Sequence, residues 1–237
     1  MVDEAIRGLL VEKDEAIRKA GGDKRKVGQM HDKIMFIDFD GTITTEETLS
    51  GAMQLCVDPE MFKDGNRKLL AGEWTLKKAV SFAFDHIPSS RMGDIMEYVR
   101  NVPIREGLSE LLDKMKELGI PVVIISGGLK PYVEEKLEPF MDRIADVYSI
   151  DVDISGPYIR LIVPDEGETD LIEKTDIMKK YQYKTSICIG DGLTDVRMAL
   201  ASDIVFARDT LAKVLTKKET PFVHWDNFHD VIEAMGK

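Results

Sequence analysis

The chain has 237 residues, 43% hydrophobic and 32% charged, which excludes a disordered polymer. It is long enough for one large domain, or a core with a smaller insertion, to bury roughly three quarters of its unfolded surface. A net charge of −11 excludes a general nucleic-acid surface, which needs clustered Lys and Arg, but leaves room for a small anionic ligand held by local cations.

Residues 2–20 place Val2, Ile6, Leu9, Leu10, Ile17 and Ala20 at helical spacing, and Gly21-Gly22 ends that helix before a polar linker to about residue 30. The helix is expected to pack on the body, with pairing into a homodimer as the alternative. The start, with Asp3 and Glu4, lacks the basic-then-apolar order of a signal segment, and no apolar run reaches membrane-spanning length. Cytoplasm and no membrane partner are therefore expected. Cys56 and Cys188 read as reduced thiols.

From Ile34 the pattern changes. The short apolar run "IMFI" suits a strand covered on both faces, and similar runs follow at "IPVVIIS", "TSICIG", "DIVFA" and "PFVHW". Helical segments such as "LSELLDKMKELG" and "LKPYVEEKLEPF" separate them, so the core is expected to be a doubly wound, Rossmann-like parallel α/β sheet over residues 31–47 and 104–237. Two stretches break the alternation. Residues 48–103 are mostly helical and read as an inserted helical domain, and "VYSIDVDISGPYIRLIVPD" reads as a small β-hairpin turning at Ser155-Gly156-Pro157.

Ligands of open α/β sheets bind beyond the carboxyl ends of the strands, and those ends carry the chemistry here. The first strand runs into Asp38-Phe39-Asp40-Gly41-Thr42, whose two carboxylates project to one side. Either they cap a turn or a cation lies between them. The second ends in Ser126-Gly127-Gly128 before a helix, a hydroxyl and backbone N–H groups suited to an anion. A later strand ends in "GDGLTD", with Asp191 and Asp195 four residues apart, which would complete an oxygen-rich site for a hard cation such as Mg²⁺. Together these suit phosphoryl transfer, with one aspartate as nucleophile and the other as acid and base. Spacing alone assigns no role to Lys174 in "LIEKTDIMKK". The four histidines do not form a metal site at their spacing.

The ordered set "DFDGTIT", "SGG", a downstream lysine and "GDGLTD" resembles the haloacid dehalogenase superfamily of phosphatases, from about Lys33 to the last strand. The resemblance implies that Asp38 is the nucleophile of an aspartyl-phosphate mechanism and Asp40 the general acid/base. It implies Mg²⁺ on Asp38, the Asp40 backbone carbonyl and Asp191, with Asp195 bracing them. Ser126, Gly127, Thr42 and Lys174 would hold the phosphate, Lys174 also steadying the nucleophile, and residues 48–103 would be the cap over a small phosphorylated metabolite. Within the superfamily the chain looks like the branch of phosphoserine phosphatases and methionine-salvage enol-phosphate phosphatases, and "IPSS", "IREGL" and "FARDTL" resemble the second of these. Ala83 falls near the place of an arginine that phosphoserine phosphatases use, whereas Glu47 matches their acidic residue for the substrate amine. The readings from other classes are a receiver-like signalling domain, which has no use for the insertion, and a phosphate binder without turnover.

Overall fold

The computed structural model describes residues 29–163 and 169–236, so the expected helix over residues 2–20 lies outside the described residues. Among the described residues one seven-stranded sheet organises the chain. Its strands are β1 (Met30–Ile37), β2 (Val122–Leu129), β3 (Asp146–Asp153), β4 (Arg160–Ile162), β5 (Gln182–Gly190), β6 (Ile204–Ala207) and β7 (Val223–His224). Their spatial order is β4-β3-β2-β1-β5-β6-β7, and every neighbouring pair is parallel except β3–β4. The chain therefore winds outward from β1 in one direction, then returns and continues from β5 in the other. That reversal opens a crevice between the carboxyl ends of β1 and β5, the place where such sheets take ligands.

The helices α1 (Thr48–Cys56), α2 (Pro59–Leu70), α3 (Leu76–Phe84) and α4 (Met92–Asn101) fill the stretch after β1. After them come α5 (Leu108–Glu117), α6 (Lys130–Leu137), α7 (Lys174–Met178), α8 (Val196–Leu200), α9 (Asp209–Lys217) and α10 (Phe228–Met235). The run Ile34–Ile37 is buried throughout because its side chains alternate between two apolar layers. Met35 and Ile37 join Leu111, Leu112 and Met115 of α5 and Phe228 of α10, while Ile34 and Phe36 join Met198 of α8 and Leu211 of α9. Each such fully buried side chain contributes about 1.5–3 kcal/mol through apolar burial. Among the described residues no helix is long and apolar enough to cross a membrane.

The insertion after β1 leaves and returns at one point. Thr45 N–H donates to the Pro103 carbonyl at 3.0 Å and Arg105 N–H to that of Ile43 at 2.8 Å. Its helices begin at local signals: Asp58 accepts from the backbone of Glu60 and Met61 ahead of Pro59, and Thr75 accepts from that of Lys78. "NRKLLAGEWTLKKAVSFAFDHI" carries the end of α2 and all of α3, parted at Gly72, whose φ of +71° lies in the left-handed region. Val80, Phe84, Ile95 and Val99 pack into the same apolar cluster as Met35 and Ile37, so insertion and sheet share a core.

The hairpin forms around residues 154–159, and its first arm has a second duty. The first part of β3 is the parallel neighbour of β2, while Asp151–Asp153 pair antiparallel with β4. The hairpin tip then ties to the insertion through Ser89 N–H to the Pro157 carbonyl and Ile159 N–H to the Ile87 carbonyl, each 2.9 Å, and an Arg160–Asp85 ion pair.

Candidate active site

Asp38 follows directly on β1, with its N–H bonded to the Ile189 carbonyl of β5 at 3.0 Å. The chain then coils tightly through Phe39–Ile43, with Gly41 at φ +79°. A side-chain carbon on Gly41 would lie 2.5 Å from Asp191 Oδ2, so both the turn and the approach of the next carboxylate require glycine. Thr44 closes the coil, donating to the carbonyls of Phe39 and Glu46. Asp191 and Asp195 arrive from the end of β5 and the turn leading into α8. Gly190 is small for a similar reason: a carbon there would stand 2.7 Å from the Asp195 carboxylate.

Lys174, the first residue of α7, is buried with its ammonium between Asp38 Oδ1 and Asp195 Oδ1, the latter at 2.6 Å. Asp195 Oδ2 accepts from the backbone N–H groups of Asp191 at 3.0 Å and Gly192 at 2.9 Å. Both oxygens of Asp195 are thus engaged in holding neighbours. Thr42 donates its hydroxyl to Asp191 Oδ1 at 2.7 Å. Asp38 Oδ2 and Asp191 Oδ2 remain without a donor among the described residues. Asp38, Asp191 and Asp195 offer carboxylate oxygens all within 4.8 Å of one another, an oxygen-only donor set with one lysine against three negative charges, which fits a hard divalent cation.

The Asp40 carboxylate is turned aside from that cluster. Its Oδ1 accepts from the Thr48 hydroxyl and from Leu49 N–H at 3.2 Å, and its Oδ2 from Ser126 Oγ at 3.1 Å. Ser126 in turn accepts from Gly128 N–H at 2.8 Å. Gly127 N–H lies beside it in the last, irregularly paired part of β2, where a side chain would meet only Leu171 at 3.8 Å. Glu47 stands exposed at the rim, ahead of α1.

Burial pushes the carboxyls up. Asp38 is well above the ordinary range, through burial and the charges of Asp195, Asp191 and Asp40, against the pull of Lys174. Asp40 is raised by burial, opposed by its bonds from Thr48, Ser126 and Leu49. Asp191 is pushed up to about 6 by burial, with Thr42 opposing and Asp195 adding. Glu47 is pushed up to about 8, first by desolvation of its carboxyl and then by the charges of Asp40, Asp191 and Asp195, although water at the exposed rim damps that shift. Burial works against the charge on Lys174, but Asp195 and Asp38 more than offset it, so its pKa is raised.

These shifts have a consequence for stability. Carboxyls with raised pKa values bind protons more tightly in the folded protein than in the unfolded chain, so stability is greatest below the unfolded value and falls as pH rises through the folded one. The metal-free protein should therefore lose stability from about pH 4 to the value near 6 of Asp191 and beyond. Surface carboxylates held low by ion pairs, such as Asp64 and Asp142, titrate below that window. Thermal unfolding in chelator should show a falling Tm over this range, and magnesium chloride should raise Tm more at neutral than at acidic pH. A Tm that climbs with pH in chelator would contradict the electrostatics of this cluster.

Three contributors were not legible as site residues in the sequence. Thr48 opens α1 and holds Asp40. Gly128 keeps space beside Asp40, since a side-chain carbon there would meet Asp40 Oδ2 and Ser126 Oγ at 2.9 Å. Arg105, at the return of the insertion, donates to the Thr42 carbonyl at 2.8 Å, the Gly41 carbonyl at 2.5 Å and the Thr44 carbonyl at 3.4 Å. It thereby clamps the coil that carries Asp38 and Asp40. Its only signal was a charged residue in "IREGL" between an insertion and an apolar helix.

The family model for haloacid dehalogenase-like hydrolases matches residues 35–200. A protein of Microcystis aeruginosa named 2-hydroxy-3-keto-5-methylthiopentenyl-1-phosphate phosphatase is 38% identical over 205 residues, 86% of this chain and 97% of its own. A Brevibacillus brevis protein of the same name is 30% identical over 210 residues, covering 85% and 94%. Among solved structures, a phospho-aspartyl intermediate analogue of phosphoserine phosphatase aligns with a TM-score of 0.62 at 15% identity, covering 87% of this chain and 99% of that one. A probable phosphoserine phosphatase from Vibrio cholerae aligns at 0.65 and 20% identity, covering 92% and 70%. At such identities the structures speak for the fold alone.

Proposed function

The chain belongs to the haloacid dehalogenase-like hydrolases, and from that premise we propose that it is a magnesium-dependent phosphatase of a small phosphorylated metabolite, 2-hydroxy-3-keto-5-methylthiopentenyl-1-phosphate, working through an aspartyl-phosphate. The observation that carries the chemistry is Asp38: buried, held through one oxygen by Lys174 and, among the described residues, without a donor at the other. The choice of substrate follows the relatives that match nearly the whole of their length.

In this reading Asp38 Oδ2 forms a bond to phosphorus as the bond from phosphorus to the leaving oxygen breaks. Asp40 gives that oxygen its proton, then takes one from the water that attacks phosphorus in the second step and frees Asp38. Ser126 and Lys174, with the backbone N–H groups of Gly127 and Thr42, hold the transferring phosphoryl oxygens; the Thr42 hydroxyl is already given to Asp191. Asp38, Asp191 and the Asp40 backbone carbonyl would hold magnesium, and Asp195 would brace them. The bound ion would neutralise the repulsion between an anionic nucleophile and an anionic ester. The α1–α4 insertion acts as a cap that excludes water from the intermediate, with Glu47 at its inner rim meeting the leaving group.

Phosphate release from a panel of this enol-phosphate, phosphoserine and sugar phosphates, with magnesium and with chelator, tests the assignment. The expected result is magnesium-dependent turnover with the enol-phosphate fastest by at least about tenfold in kcat/KM. Phosphoserine as the fastest substrate would move the chain to the neighbouring activity, with Glu47 meeting the amine. No turnover of any compound would sink the enzyme reading.

A further inference from the structure

Tyr132 lies in the first turn of α6, 1% exposed, and its hydroxyl finds no hydrogen-bond partner. Among the described residues only one other buried side-chain polar atom shares that condition, Trp225 Nε1, in a tryptophan whose ring has the guanidinium groups of Arg105 and Arg208 each 5.4 Å from its centre. A phenol left unpartnered in the interior works against folding, and exchanging it for phenylalanine would remove the penalty. Its location is specific. A side-chain carbon on Gly128 would lie 2.6 Å from the Tyr132 hydroxyl and 2.9 Å from both Asp40 Oδ2 and Ser126 Oγ, so the three oxygens surround one spot that glycine keeps clear. The Thr48 hydroxyl and the Leu129 backbone approach the phenol closely enough to ease its charge, yet neither meets the distance and angle of a hydrogen bond, and the ring leans on Phe39, the residue between Asp38 and Asp40.

Asp40 is surrounded by donors only: the Thr48 hydroxyl, Leu49 N–H and the Ser126 hydroxyl. That set suits a carboxylate. In the catalytic cycle proposed above Asp40 must also carry a proton, and an oxygen that carries one becomes a donor. Until that proton is transferred, the hydroxyl facing the protonated oxygen accepts a hydrogen bond from it and turns its own hydrogen elsewhere. We propose that Tyr132 is a positioning residue for Asp40, its hydroxyl oxygen being the spare acceptor to which Thr48 or Ser126 turns while Asp40 holds the proton for the leaving group. The orphan in the resting protein is the partner required in the reacting one. This rests on the phosphatase reading and adds to it a residue that does not touch substrate.

The test is Tyr132→Phe, assayed with the enol-phosphate, phenyl phosphate and p-nitrophenyl phosphate, beside thermal unfolding. Leaving groups that need protonation feel the placement of the acid, and p-nitrophenolate hardly does. The expected result is a fall in kcat of about tenfold on phenyl phosphate and the enol-phosphate with KM little changed, a fall of under about threefold on p-nitrophenyl phosphate, and a Tm equal to or above that of the native protein. Unchanged kcat on all three compounds would overturn the proposal. So would an equal loss on all three, or a fall in Tm, since either would mark the hydroxyl as a structural group. Native protein inert on every compound would overturn the phosphatase reading itself, and this proposal with it.

Discussion

Asp38→Asn should abolish phosphate release, lowering kcat by about four orders of magnitude or more, because an amide is not a nucleophile toward phosphorus and the two displacements collapse to none. The same change should leave the fold intact. The asparagine carbonyl oxygen can still accept from Lys174, and the substitution removes one of the charges that crowd Asp191 and Asp195. Metal-free Tm near neutral pH is accordingly expected to hold or rise. Measuring both properties on one preparation separates a lost nucleophile from a lost structure. Activity within about tenfold of the native protein would place the nucleophile elsewhere.

Lys174→Met should damage both activity and stability. The ammonium is 3% exposed and bridges Asp38 and Asp195, whose carboxylates are also buried. Deleting one partner of a buried ionic group leaves the others uncompensated, which costs about 3–5 kcal/mol. Methionine fills the volume, so the loss is electrostatic rather than a cavity. The deficit should shrink at acidic pH, where protons neutralise the abandoned carboxylates, and with magnesium, which supplies positive charge to the same oxygens. Urea unfolding of both proteins at acidic and slightly alkaline pH, with and without magnesium, reads all of this. A stability difference independent of pH and magnesium would mean that Lys174 matters by packing alone.

The fold was legible because its signals are local. Ile34–Ile37 is apolar at every position, as only a strand covered on both faces requires, and the helical patterns between such runs leave a doubly wound sheet as the economical arrangement. The break at Gly72 and the double pairing of β3 were not legible. A left-handed glycine can sit inside an apparent helical pattern, and a strand's two hydrogen-bonding edges carry no separate mark in its side chains.

The site divides along the same line. Asp38, Asp40, Asp191 and Asp195 announce themselves by charge at the ends of apolar runs, and glycine beside each pair announces close approach. Lys174 is one lysine among several in its segment, and only the fold, which buries the start of α7 against β1 and β5, makes it the counter-ion of two aspartates 136 and 21 residues away. Thr48, Arg105 and Tyr132 are ordinary residues of a helix start, a loop and a helix turn. Their roles come from what stands opposite them: the Asp40 carboxylate, the carbonyls of Gly41 and Thr42, and the spot kept clear by Gly128. The sequence by itself determined the sheet and the carboxylates gathered at its switch point, because burial and charge are properties of single residues and their spacing. The tertiary structure alone decided how those carboxylates are balanced and held, because a hydrogen bond or ion pair between distant segments exists only once both are brought within a few ångströms.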